Sequence, residues 1–372
     1  MARTTLVNLF TMVLFRNTNM PQTNVEQTIV RKKSAFLELM GYHGINIKLG
    51  AFCALLTLIL LYCLLTNKQF RKKRKLIITL AVADFLNCIG ILLMGIDRFS
   101  LYESIVHTGH ANSETSWSCA QHFWLLVKTA GDVWPPIVQC FMGTEQLLSV
   151  CGKWQSKRRA DLLVVASFAF TVIVLTVGYM LAFSSRFDGN VKYYCGRKAT
   201  FGMIFSGFVY AHNVVGYVSG VVLNSVALRQ KESKANTFCV DSKDQDRQIQ
   251  QIRSCLIVSS ISTILVSIPN CLSLFSLLIA SVRDSISKPA VWATCINSGV
   301  NLFVYIVLDR DFRQHVTFLW KREEYSAVCP QKEEEEHVHR LLNQYDSRTE
   351  TFDSNLEERV LNLKRSLSSE FP

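Results

Sequence analysis

The sequence predicts an all-α membrane protein, a seven-helix transmembrane bundle, on three observations. Hydrophobic residues make up 49% of the 372-residue chain. They come in seven runs, at roughly 49–66, 76–95, 122–150, 161–183, 201–228, 254–281 and 289–308, each about as long as the ~17–25 residues that cross a ~30 Å hydrocarbon core. A large soluble helical protein would instead show shorter runs with clear polar faces. Third, the basic residues collect in alternate connections.

KQFRKKRK between the first two runs carries six Lys/Arg, and Lys153, Lys157, Arg158 and Arg159 separate the third run from the fourth. Arg310, Arg313, Lys321 and Arg322 follow the seventh, whereas the opposite connections hold Arg98 alone, or Arg283 and Lys288. This positive-inside bias predicts an outside N-terminus and a cytoplasmic C-terminus, although RKK at 31–33 runs against it. The net charge of +11 is thereby placed at a membrane surface, which argues against nucleic acid as a partner. The predicted organisation is an extracellular tail at 1–44, the bundle at 45–308, a short amphipathic helix 8 at 309–329 and a charged cytoplasmic tail at 330–372.

The tail is polar except for LVNLFTMVLF at 6–15, which reads as an unprocessed segment or a weak signal peptide. In span two, Asp84 sits mid-run, where an unpaired charge costs about 2.5–3.5 kcal/mol on insertion scales. It calls for a partner helix that bonds a protonated carboxyl, or for a cation. Span three, within CAQHFWLLVKTAGDVWPPIVQCFMGTEQLLSV, is the most polar. Lys128, Asp132, Gln139, Gly143 and Gln146 fall within an arc of about 60° at ~100° per residue, so that arc must face protein or water. Lys128 and Asp132 stand four apart, close enough to pair with each other or to meet a polar ligand together. Pro135 and Pro136 remove two backbone donors, which predicts a bend with space beside it.

Span four is nearly featureless and is expected to pack at the lipid side. Span five carries Ser206, Tyr210, Asn213, Tyr217 and Asn224 near one face, as helix–helix hydrogen bonds or as pocket lining. Span six contains Pro269, a predicted hinge. In span seven, Thr294, Asn297, Asn301 and Tyr305 share a face that, with Asp84, predicts a buried water or ion network. Phe312, Val316, Leu319 and Trp320 then recur at helical spacing, as in a helix lying on a membrane surface, and Cys329 beyond it is a candidate palmitoylation site. Of the 12 cysteines, all but Cys119 and Cys195 fall in spans or on the basic side. Those two share the oxidising compartment, so they are expected either to form a disulfide, worth about 2–4 kcal/mol, or to stay as free thiols.

LAVAD at 80–84, EQLLSV at 145–150, Pro269 and NSGVNLFVY at 297–305, with Phe312 beyond it, resemble in order and spacing the motifs of rhodopsin-like (class A) G-protein-coupled receptors. GDVWPPIVQCFMGTEQLLSV, YYCGRKATFG and NLFVYIVLDRDFR resemble more narrowly the nematode serpentine chemoreceptors of the Srsx/Srx type. The resemblance implies a receptor in the plasma membrane of a sensory cell, a small environmental or pheromonal ligand and a heterotrimeric G protein. Arrestin-like regulators would act on the C-terminal tail. By position it implies a sodium or water site at Asp84 and Asn301, and activation roles for Glu145, Gln146 and Tyr305. The chain differs from the pattern in having Gln146 where the family has arginine, Leu302 for the proline of the seventh helix and Ser267 for the tryptophan of the sixth.

The ligand site is expected among Lys128, Asp132, Tyr210 and Asn213. No HExxH, nucleophile elbow or catalytic carboxylate pair suggests an enzyme. A small-molecule transporter could also bury these charges, but the chain shows no internal repeat or matched pair of broken helices.

Overall fold

The computed structural model describes residues 22–109, 114–152, 157–186, 194–237, 243–275 and 283–328. The long helices, in chain order, are α1 (Gln22–Thr66), α2 (Lys75–Thr108), α3 (Phe123–Val150), α4 (Lys157–Ser184) and α5 (Arg197–Thr237). After them comes α6, which is α-helical over Lys243–Ser262 and Ile268–Phe275 with a π turn at Thr263–Ser267 between. Then follow α7 (Arg283–Leu308) and α8 (Arg310–Val328). Single-turn helices at Lys68–Lys73 and Ser116–Ala120 lead into α2 and α3. Val328 closes the described residues, so Cys329 and the tail lie outside them.

Among the described residues, six helices are long and apolar enough to cross a membrane: Phe36–Thr66, Lys75–Thr108, Arg159–Ser184, Arg197–Lys234, Gln248–Phe275 and Pro289–Leu308. The chain therefore has the build of a multi-pass membrane protein. The third run of the sequence, which is α3, is not among the six. Its Lys128, Asp132, Glu145, paired prolines and glutamines displace apolar residues from a helix of sufficient length. As its polar arc predicts, α3 packs against α2, α4, α5 and α6. The outward faces of the other helices are apolar, as at Phe52 and Leu55 of α1 and Leu162, Phe168 and Ile173 of α4. α4 is the least buried of the six, in line with its expected place at the lipid face.

Two glycines set the α2–α3 crossing. A Cβ on Gly90 would lie 2.6 Å from the Lys128 Cα, and one on Gly131 would lie 2.4 Å from the Asn87 Cα. Each glycine thus receives the backbone of the other helix, an approach that only a missing side chain permits. On the far side of α3, α5 comes equally close: a Cβ on Gly216 would meet the Pro136 Cβ at 2.7 Å. This corrects the expectation of space beside the double proline. α3 remains one helix through Pro135 and Pro136, and α5 fills the place beside them. Nearby, His212 Nε2 of α5 lies 3.0 Å from the Val133 carbonyl oxygen.

Proline acts differently in α6. Pro269 has no N–H to give the carbonyl of Leu265, and the turn before it widens until the Ile268 N–H bonds the Thr263 carbonyl. The Asn270 side chain donates to the Val266 carbonyl at 2.7 Å. The irregular turn therefore lies just before Pro269, where the sequence predicts a hinge.

α1 starts at Gln22, so the helix runs well past the first apolar run toward the N-terminus. His43 stacks on Tyr102 of α2 at 5.4 Å, and Asn46 accepts a 2.8 Å hydrogen bond from the Trp292 indole of α7. α5 opens with a short turn that breaks at Gly202, whose φ of +84° suits glycine. Cys119 and Cys195, 76 residues apart, form the disulfide that ties the start of α3 to this turn.

Gly131→Val is expected to lower the melting temperature of the detergent-solubilised protein by an amount matching about 1–3 kcal/mol of overpacking. Gly41→Ala, whose Cβ would meet nothing within 4 Å, should leave it unchanged in the same fluorescence melts.

Candidate functional site

The buried polar residues form one hydrogen-bonded chain across the bundle. At the disulfide end, Asp132 of α3 takes Lys128 on one carboxylate oxygen and the Arg197 guanidinium, at 3.0 Å, on the other. Lys128 Nζ also donates to the Asn87 Oδ1 of α2 at 3.1 Å. The Asn87 amide nitrogen donates to the Ser298 Oγ of α7 at 3.3 Å, and Ser298 donates to Asp84 at 3.0 Å. Asn301 Nδ2 donates to the other Asp84 oxygen at 2.7 Å. Three helices and the post-disulfide turn thus share one run of polar contacts, and each group is held by residues that the fold brings from far along the chain.

The helical spacing explains each member. Lys128 and Asp132 are one turn apart on α3, as are Ser298 and Asn301 on α7, and Asp84 and Asn87 on α2. The glycine crossing brings Lys128 to Asn87. The disulfide brings in Arg197, two residues after Cys195. The sequence singled out Lys128, Asp132, Asp84 and Asn301 but not Asn87, Ser298 or Arg197. Spacing from Asp84 and Asn301 could have flagged Asn87 and Ser298, whereas Arg197 required knowledge of where the disulfide points its loop.

Other expected site residues lie elsewhere. Tyr210 joins the upper cluster, its ring 4.6 Å from the Arg197 guanidinium carbon. Asn213 does not: its amide donates to Asn270 Oδ1 of α6 at 3.4 Å, so it belongs to the α5–α6 contact beside Pro269. Asn297 and Tyr305 are both buried, but no hydrogen bond joins either to Asp84 among the described residues. The Tyr305 ring instead packs toward Phe312 at 6.1 Å. Gln146 is buried near the base of α3, and Glu145 beside it forms no ion pair among the described residues.

Both oxygens of Asp84 accept direct hydrogen bonds, so the carboxylate is held by Ser298 and Asn301 themselves. Near them the Asn301 Oδ1 is buried with no partner and would be free to help hold a sodium ion. A different hollow, of about 560 Å³, opens between α3 and α4, lined by Leu126, Val172, Leu175, Tyr179 and neighbouring apolar side chains. It lies on the opposite side of α3 from the polar chain and offers nothing for a charged ligand.

At the basic end, Arg74 before α2 pairs with Asp309 after α7 and reaches Asp311 at 3.8 Å. Gln250 of α6 donates to the Leu308 carbonyl at 2.6 Å, and Gln248 of α6 donates to Ser149 of α3 at 3.0 Å. Higher up, Gln139 of α3 donates to Ser262 of α6 at 2.8 Å. α6 is therefore held to α3 and α7 at this end by neutral hydrogen bonds. It is joined to α5 by Asn224–Ser259 at 3.2 Å and by the Arg253–Glu232 ion pair at 2.8 Å.

Compared with known protein families and with curated proteins, the chain matches none.

Asp132→Ala is expected to destabilise the fold most, by about 3–5 kcal/mol, because it leaves Lys128 and Arg197 buried without their shared anion. Lys128→Met and Arg197→Met each leave Asp132 one cation and should cost about half as much or less. Thermal melts of the three variants in one detergent give the order directly.

Proposed function

We propose that the chain is a seven-helix receptor of the rhodopsin-like type, in which α3 also crosses the membrane, with its N-terminus outside and its basic end in the cytoplasm. In this reading it is a chemosensory receptor of a plasma membrane that signals to a heterotrimeric G protein. The observation that carries the reading is the polar chain. It starts at charges beneath a disulfide-tethered segment and ends on α7 within NSGVNLFVY, the stretch that resembles the receptors' activation motif. A plain anchor or scaffold has no use for a buried path of that kind, which is costly to insert.

The chain also suggests how a signal would pass. A polar ligand that competes for Asp132 or Arg197 changes what Lys128 must bond, and Lys128 holds Asn87. Asn87 in turn orients Ser298 against Asp84, so the ligand's effect reaches α7 by exchange of partners. The wide turn before Pro269 gives α6 a place to bend, and its basic end is held by neutral hydrogen bonds that are cheap to exchange for water. α5 and α6, joined along their length, would move together and open a cleft for the G protein. The ligand must prefer the open state: a shift from 1:99 to 99:1 needs about 5.5 kcal/mol of differential binding.

A second reading is a receptor that binds without coupling, favoured by Gln146. A buried neutral glutamine stands where the receptors present an arginine, and Glu145 has no cation partner to release on activation among the described residues.

The test is nucleotide exchange on a panel of G proteins, in cells screened with volatile and pheromone-like compounds. A responding ligand should lose most of its effect with Asp132→Asn or Tyr210→Phe, at unchanged surface expression. If both variants respond as wild type does, the site is misplaced; if only Gln146→Arg confers exchange, the non-coupling reading stands. Substrate uptake into vesicles without any G protein would replace the receptor with a transporter.

A further inference from the structure

Two cations at the disulfide end, Arg98 and Arg197, keep buried N–H groups without an acceptor, and these specify a ligand class. Lys128 and Arg197 share Asp132, which neutralises one of them. A third cation, Arg98 near the end of α2, has no carboxylate within ion-pair distance among the described residues. Its guanidinium carbon lies 5.4 Å from the Trp124 ring and 5.6 Å from the Tyr194 ring, and a Cβ on Gly196 would lie 3.7 Å from its Nη2. Trp124 stands one turn before Lys128 on α3, and Tyr194 and Arg197 flank Cys195 and Gly196. The disulfide therefore sets Tyr194 and Gly196 against Arg98 and Trp124, with Arg197 next in the chain.

Two further acids lie near these cations, Asp97 next to Arg98 in the chain and Glu114 beside the disulfide. Asp97 faces His122 at 3.6 Å, and Glu114 accepts from the Ser118 hydroxyl at 2.5 Å. The unpaired donors, rather than the net charge, single out the site. Arg98 Nε, Trp124 Nε1 and Arg197 Nε are all buried without a hydrogen-bond partner. Three such N–H groups around the Cys119–Cys195 disulfide, two of them on cations, call for an acceptor, and the cations favour one that carries negative charge. A guanidinium that keeps a buried N–H without an acceptor costs stability unless some function retains it.

We infer that Arg98, Trp124 and Arg197 form a subsite for an anionic group, a carboxylate or sulfate, of the small molecule that this protein binds. The aromatic rings of Trp124 and Tyr194 hold Arg98 in place by cation–π contact while leaving its N–H edge for the ligand. Lys128 and Asp132 next to it begin the polar chain, so an anion drawn to Arg197 competes directly with Asp132. The inference deepens the receptor reading and rests on it for its consequence, but binding itself can be measured without a G protein.

The full-length chain would be placed in phosphatidylcholine nanodiscs and melted with acetate, hexanoate, benzoate or inorganic sulfate, at constant ionic strength. Hexanamide and hexylamine serve as the neutral and cationic controls. At least one anion should raise the melting temperature saturably, and neither control should. Arg98→Gln should weaken that binding by about tenfold or more, while holding or raising the melting temperature without ligand. Arg98→Lys should retain part of the binding.

The inference is overturned if no anion shifts the transition, if hexanamide shifts it equally, or if Arg98→Gln binds as wild type does. A shift produced by phosphatidylserine in the disc, and removed by Arg98→Gln, assigns the anionic group to a lipid headgroup. Anion binding without any nucleotide exchange would sink the receptor reading and leave this subsite standing. Exchange driven by a neutral ligand and indifferent to Arg98→Gln would do the reverse.

Discussion

Asp132 is the group on which the interior depends. It lies well inside the bundle, where hydrocarbon or packed side chains can offer a carboxylate nothing, and it meets a lysine from its own helix and an arginine from the turn after the disulfide. The two contacts answer different needs. Lys128 satisfies the charge locally, as i,i+4 spacing permits in any helix. Arg197 can arrive only if Cys195 is fixed beside Cys119, so the second contact records the closure of the disulfide end. Because Lys128 then has donors to spare, it reaches Asn87, and the polar chain continues into α2 and α7.

Close backbone approach makes that chain continuous. Side-chain hydrogen bonds in a membrane are individually weak, around 0.6 kcal/mol by double-mutant cycles, so they cannot draw helices together by themselves. The reciprocal seating of Gly90 on Lys128 and Gly131 on Asn87 supplies the van der Waals contact that holds α2 to α3. Gly216 against Pro136 does the same for α5. Polar groups then find partners at distances that packing has already fixed. This order of causes also explains why the double proline is not flanked by a cavity: the surface that proline leaves smooth is a good seat for a glycine.

Much of the architecture is legible in the sequence because hydrophobic runs and polar arcs are local properties. The long helices, the lipid-facing character of α4 and the inward polar arc of α3 follow from residue type and spacing alone. So does the Lys128–Asp132 pair. The irregular turn of α6 is also local, since a missing N–H at Pro269 frees a carbonyl wherever the helix lies. The candidate site was only half visible. Asn213 sits on the same polar stripe as Tyr210, yet three residues of helix rotation turn it toward Asn270 of α6. Arg197 and Arg98 stand in a loop and at a helix end, and nothing in their neighbours in sequence says that they are half-buried.

The sequence by itself determined the helical class, the apolar lengths fit for a membrane, the sidedness of basic charge and the two cysteines able to pair, because each depends on composition and short-range periodicity. The tertiary structure alone decided which polar groups meet. Hydrogen bonds of about 3 Å between residues more than two hundred positions apart, as between Asn301 and Asp84, depend on how helices cross. That crossing is set by the mutual fit of surfaces, here two glycines and a disulfide, and no single stretch of the chain encodes it.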